Sequence, residues 1–78
     1  MNINAPDYKK SAVATIEWAN GETSELRGKL GTLVAVMIDF SEKRGKSVVV
    51  CINQTVNNRH FNCVMINGNS TWSSIERN

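Results

Sequence analysis

Few residues of this chain have chemistry to offer: two cysteines, Cys51 and Cys63, one histidine, His60, and scattered carboxylates. A nucleophilic thiol needs a base within hydrogen-bond reach, oriented by a third group. His60 is the one candidate base. Asn57-Asn58 reads as a two-residue turn between strands, which sets His60 opposite Thr55. Cys51 then lies about 13 Å further along the strand, at ~3.3 Å per residue, beyond the reach of proton transfer. Zinc wants four ligands, which two cysteines on opposite faces and one histidine do not supply. Glu22 and Glu25 sit near a turn, and Asp39 and Glu42 on a helix flank; solvated surface charge is the plainer account of both pairs. Gly28 and Gly31 bracket Lys29 and Leu30, but the run lacks the Gly-Lys-Ser/Thr ending of a phosphate cradle. They read as loop and helix-entry residues. The expectation is a chain with no catalytic residue, no cofactor and no metal, and not an enzyme.

Any site must be carried by a small set of elements. Residues 1–10 read as a flexible lead, with Pro6 and Asp7 discouraging regular structure, followed by a single domain over 11–78. Ser11 to Trp18 reads as a strand, with Val13, Thr15 and Ile16 of high β-propensity. Asn20-Gly21 is a hairpin signal of the type I′ kind, whose two central residues both need positive φ. Glu22 to Gly28 is open between a returning strand and the start of the helix, with Thr23 or Ser24 as N-cap. Leu30 to Arg44 reads as the helix. Leu30, Leu33, Val34, Met37 and Ile38 form one apolar stripe that continues to Ser41. Leu33 to Ile38 is also rich in strand formers, so the ends decide: Lys43 and Arg44 suit the C-terminal dipole, and Gly45 supplies the residue that stops the helix.

Ser47 to Gln54 is a strand carrying Val48, Val49, Val50 and Ile52, and His60 to Ile66 is its return. Asn67-Gly68 offers another turn, after which Ser70 to Ile75 is a short last strand or a helical turn. The fold class is α+β: a small antiparallel sheet of three to five strands with one helix packed on one face, in the order β(β)αββ(β). With Asn57 and Asn58 central in their turn, Val56 pairs with Arg59. One face of the hairpin then carries Val48, Val50, Ile52, Phe61, Cys63 and Met65, all apolar. The other carries Val49, Cys51, Asn53, Thr55, His60, Asn62, Val64 and Ile66. A one-residue slip would mix the two sets, so the pattern supports the register and places the first face under the helix. Cys51 and Cys63 fall on opposite faces and are not expected to bridge. Cys63 reads as a small core hydrophobe.

With 78 residues, 41% of them hydrophobic and 21% charged, the chain is one small globular domain with little room for a deep pocket. No apolar run approaches the ~20 residues of a membrane span. The opening residues do not read as a signal peptide. The expected location is cytoplasmic, with both thiols reduced and no membrane partner. The formal charge of +2 does not announce nucleic acid. Lys43, Arg44, Lys46 and Arg59 are nonetheless the candidate nucleic-acid contacts, against the plainer account of solvated helix-end charge.

Absence of charge is more informative. From Ser47 to Ile75 the one formal charge is Arg59, whereas the preceding segment is densely charged. Interface cores are depleted in charge. The candidate protein-contact residues are therefore Val49, Cys51, Asn53, Asn62, Val64 and Ile66. Against this, the C-terminal segment with Trp72 and Ile75 can fold back over the same patch. The functional expectation is a small non-enzymatic protein that occupies a macromolecular partner's surface, foremost a protein. Small inhibitors encoded by phages and mobile elements, anti-defence proteins among them, act in this style; that expectation rests on size. A nucleic-acid-binding module is the alternative, and a self-assembling structural subunit, a homodimer in its simplest form, is the third.

Overall fold

The computed structural model describes residues 5–76. β1 (Ser11–Glu17) and β2 (Thr23–Lys29) form a first hairpin. α1 (Leu30–Arg44) follows without a loop and ends in a short 3₁₀ turn, Gly45–Ser47. β3 (Val49–Val56), β4 (Arg59–Ile66) and β5 (Asn69–Glu76) then complete one five-stranded antiparallel sheet in the order β2-β1-β3-β4-β5. The segment left open at Glu22 to Gly28 is thus a strand, and the C-terminal segment is a full edge strand. It lies flat beside β4 and does not fold back over the sheet.

The second hairpin has the register read from its side-chain pattern: Val56 pairs with Arg59, Ile52 with Cys63 and Val50 with Met65. Asn57 and Asn58 both have positive φ, at 52° and 61°. Asparagine tolerates that region because its short side chain bonds locally. The first hairpin departs from the expected type I′ turn. Only Gly21 has positive φ, the Gly21 N–H donates to Trp18 O, and the Trp18 N–H donates to Glu22 O. This is a three-residue loop, a type I turn closed by a left-handed glycine. The longer loop pairs Ile16 with Ser24 and Ala14 with Leu26.

α1 lies across one sheet face. Leu30, Leu33, Met37 and Ser41 are buried, and Val34, Ile38 and Phe40 pack at the margin of the core. They meet Ala12, Ala14 and Ile16 from β1, Val48, Val50 and Ile52 from β3 and its entry, and Cys63 and Met65 from β4. Small alanines on β1 let the helix approach the middle of the sheet. Ser41 is buried, and its hydroxyl accepts a hydrogen bond from the Gly68 N–H at 3.1 Å, tying the helix end to the β4–β5 turn. A side chain at Gly68 would meet Glu42 Cβ at 3.0 Å, and its φ is +80°, so glycine is strongly favoured there.

No side chain caps the helix N-terminus. Its leading donors go instead to backbone: Leu30 N–H to Lys10 O and Gly31 N–H to Tyr8 O. Those carbonyls are presented by a turn over Asp7–Lys10, in which the Lys10 N–H donates to Asp7 O. Gln54 holds the turn. It continues the core face of β3 past Ile52, is 4% exposed, accepts the Asp7 N–H at 2.8 Å, and donates to Asp7 O at 2.7 Å and Lys10 O at 3.3 Å. The described part of the expected lead is thus fastened to the body; residues 1–4 lie outside the described residues, as do 77–78. Among the described residues no helix is long and apolar enough to cross a membrane.

Candidate functional site

Among the described residues no element covers the sheet face opposite α1. Alternation places Val49, Cys51, Asn53 and Thr55 of β3 there, with His60, Asn62, Val64 and Ile66 of β4 beside them. The six residues expected to form a contact surface therefore share one face and lie on adjacent strands. Cys51 is directly opposite Val64, and Asn53 opposite Asn62. Five of the six are half-buried by their neighbours, while Ile66, near the strand end, is exposed.

Tertiary structure widens the face beyond that hairpin. β1 contributes Val13 and Thr15 next to Asn53 and Cys51, and β5 contributes Thr71 and Ser73 next to Val64 and Asn62. One row thus runs Thr15, Cys51, Val64, Thr71, and the next Val13, Asn53, Asn62, Ser73. Formal charge lies at its borders: Glu17 of β1 and Glu25, Arg27 and Lys29 of β2 on one side, with Glu25 and Arg27 3.9 Å apart, and Lys46 at the end beside Val64 and Ile66. The β1 residues were not among the expected contacts. Their alternation was visible in the sequence, but the β1–β3 pairing spans the helix and no local pattern reports it.

His60 Nδ1 lies 2.9 Å from Thr55 Oγ1, in register opposite it. Among the described residues no group of three His, Cys, Asp or Glu side chains is placed to hold a metal. Both thiols are free, Cys63 buried and Cys51 half-buried on the opposite face. Burial pushes the Cys51 thiol above its ordinary 9.0, and the Glu17 carboxylate adds to the shift. Burial also raises Cys63, with a smaller contribution from Cys51.

Two outcomes follow from the thiols. Titration with a thiol reagent after unfolding without reductant should find both free; an intact internal bridge would overturn the opposite-face placement. The raised values also set a pH dependence. The unfolded chain loses these protons first, so stability is held below pH 9.0 and falls as pH rises through the folded-state values. Melting temperatures measured from neutral to alkaline pH should show the decline, and Cys51→Ala should reduce it.

The basic cluster is not one cluster. Lys43, Arg44 and Lys46 lie at the C-terminal end of α1, whereas Arg59 begins β4 at the opposite end of the sheet. Eight strand residues separate the two ends, about 25 Å at ~3.3 Å per residue. Lys43 pairs with Asp39 at 3.1 Å. Arg44 stacks over both Trp18 and Phe40, 5.3 Å from each ring centre. Arg59 is within 3.8 Å of Glu76 and donates to Ser74 Oγ at 3.4 Å. Lys46 alone of the four has no carboxylate, aromatic or side-chain partner of this kind among the described residues, and it borders the end of the open face beside Val64 and Ile66. Comparison with protein-family models, with curated proteins and with solved structures returns no match.

Proposed function

We propose that the chain is a non-enzymatic binding protein that occupies the surface of a protein partner through its open sheet face. The observation that carries this reading is the composition of that face. Its interior, from Val13 and Thr15 across Cys51 and Val64 to Thr71, is an uncharged strip of apolar and small polar side chains spanning four strands. Desolvating such a surface costs little, and its hydroxyl and amide groups can pair across an interface. The charged margin at Glu17, Glu25 and Arg27 suits a rim that orients a partner. In an inhibitor, occupancy of the partner's surface is itself the activity, which asks nothing of the side chains beyond complementarity.

A photo-crosslinking amino acid tests the reading in the cells that produce the protein. Placed at residue 64 it should yield one discrete protein adduct, and placed at Val36, on the exposed side of α1, it should yield none. Val64→Lys and Asn62→Asp should each leave the circular dichroism unchanged and lower partner affinity by at least tenfold, about 1.4 kcal/mol. Lys43→Glu should leave affinity within a fewfold, and Lys46→Glu, at the border of the face, should lower it less than Val64→Lys. If nucleic acid is the ligand the pattern inverts: the lysine variants lose binding and the face variants keep it, with a steep salt dependence.

A further inference from the structure

We propose that β5 is a dimerisation edge, at which two copies of this chain pair β5 against β5, antiparallel, about a two-fold axis at Trp72. The sheet has two edges, β2 and β5. An edge strand leaves a row of N–H and C=O groups unpaired, and proteins that must stay apart blunt it with charge, proline or a bulge. β2 is blunted in this way by Glu25, Arg27 and Lys29. β5 is not. Asn69 to Ile75 holds no charge and no proline, and the strand stays in unbroken register with β4 over its eight residues. Ile66 and Asn69 close the two-residue turn, so Asn69, Thr71, Ser73 and Ile75 bond to β4. Ser70, Trp72, Ser74 and Glu76 then turn their backbone groups outward.

A second copy suits this edge for reasons of charge and shape. A two-fold axis normal to the sheet keeps like faces together, so each side chain meets one from the same face. Centred on Trp72, the pairing sets Ser70 opposite the partner's Ser74 and Thr71 opposite the partner's Ser73. Within Asn69 to Ile75 no charge faces a charge; Glu76 falls opposite the turn at Gly68 of the second copy and lies beside Arg59 of its own chain. Trp72 is on the helix side, 36% exposed and edge-on to Tyr8 at 6.4 Å. It borders a groove lined by Pro6, Tyr8 and Phe61 and by no residue of α1. The partner's Trp72 would lie against it and close the groove on its open side. The inference goes beyond the binding reading above and stands or falls separately from it, because it concerns the sheet's edge and not its face.

Sedimentation velocity on the full chain tests it. At ~100 µM, well above a micromolar Kd, the wild type should sediment as a dimer. Ser70→Pro removes an outward-facing donor and leaves the β4 ladder complete, a place where an edge strand tolerates proline. It should weaken dimerisation at least tenfold with circular dichroism unchanged. Trp72→Lys, which sets two ammonium groups face to face at the axis, should do the same, and Val64→Lys should leave the dimer intact. A monomeric wild type overturns the proposal. So does a dimer that survives both edge variants, or one that Val64→Lys dissolves, which would mean that open faces stack on each other instead.

Discussion

Met37→Lys is expected to unfold the domain outright. Met37 is 3% exposed and sits mid-helix in the cluster that includes Leu33, Val50 and Ile52. No carboxylate of α1 shares that stripe, since Asp39 and Glu42 are exposed on the helix's other sides. The ammonium would be buried without a partner, at a cost of several kcal/mol. A domain of this length has a total stability of about 4–12 kcal/mol, and the lower half of that range is the expectation for so small a core. Far-ultraviolet circular dichroism should show loss of both helix and sheet signals at room temperature. Met37→Leu, close in volume, should cost less than ~1.5 kcal/mol and keep a cooperative melt. A lysine variant that melts at the wild-type temperature would mean the stripe does not face the core.

The second large effect is expected at a polar residue. Gln54→Ala should destabilise the domain by about 2–4 kcal/mol, more than most truncations of a single polar side chain, because its buried amide serves several part-buried backbone groups at once. With Gln54 gone, the Asp7 N–H loses its acceptor and the Asp7 and Lys10 carbonyls lose a donor. The turn they hold supplies the helix with the acceptors for Leu30 and Gly31, so the helix start loosens with it. Gln54→Glu separates charge from shape: the carboxylate can still accept from Asp7 but meets carbonyl oxygens where the amide donated. It should cost at least as much as the alanine at neutral pH. Chemical denaturation would give the free energies, and hydrogen exchange at the Leu30 and Gly31 amides would show whether the helix start opens first. An unchanged exchange rate there would mean the turn holds without Gln54.

Much of the fold was legible in local pattern. α1 was readable to the residue because its stripe has helical period and Gly45, with φ of 66°, stops it where Lys43 and Arg44 complement the dipole. The β3–β4 register was readable because side-chain alternation rules out a one-residue slip, which would mix Val50, Ile52, Cys63 and Met65 with the other face, and the Asn57-Asn58 turn fixes the rest. The Asn20-Gly21 turn was harder. The same dipeptide serves a two-residue loop or ends a three-residue one, and the choice belongs to how Trp18 and Ile16 must pack, not to the turn residues.

The amino-acid sequence was enough to establish a helix, a strong central hairpin, two thiols kept apart and a C-terminal half nearly without charge. Each of these depends on neighbours within a few residues or on a single hairpin, where geometry translates directly into spacing. Only the tertiary structure decided that β1 inserts between β2 and β3 and that β5 extends the sheet instead of covering it. It also decided the role of Gln54, which looks like a polar strand end and acts as the fastening of residues 44 to 47 positions away in sequence. Contacts of that separation are chosen by the burial of the whole chain at once. No short window of residue types encodes them, because the same strand presents the same edges whichever neighbour it takes.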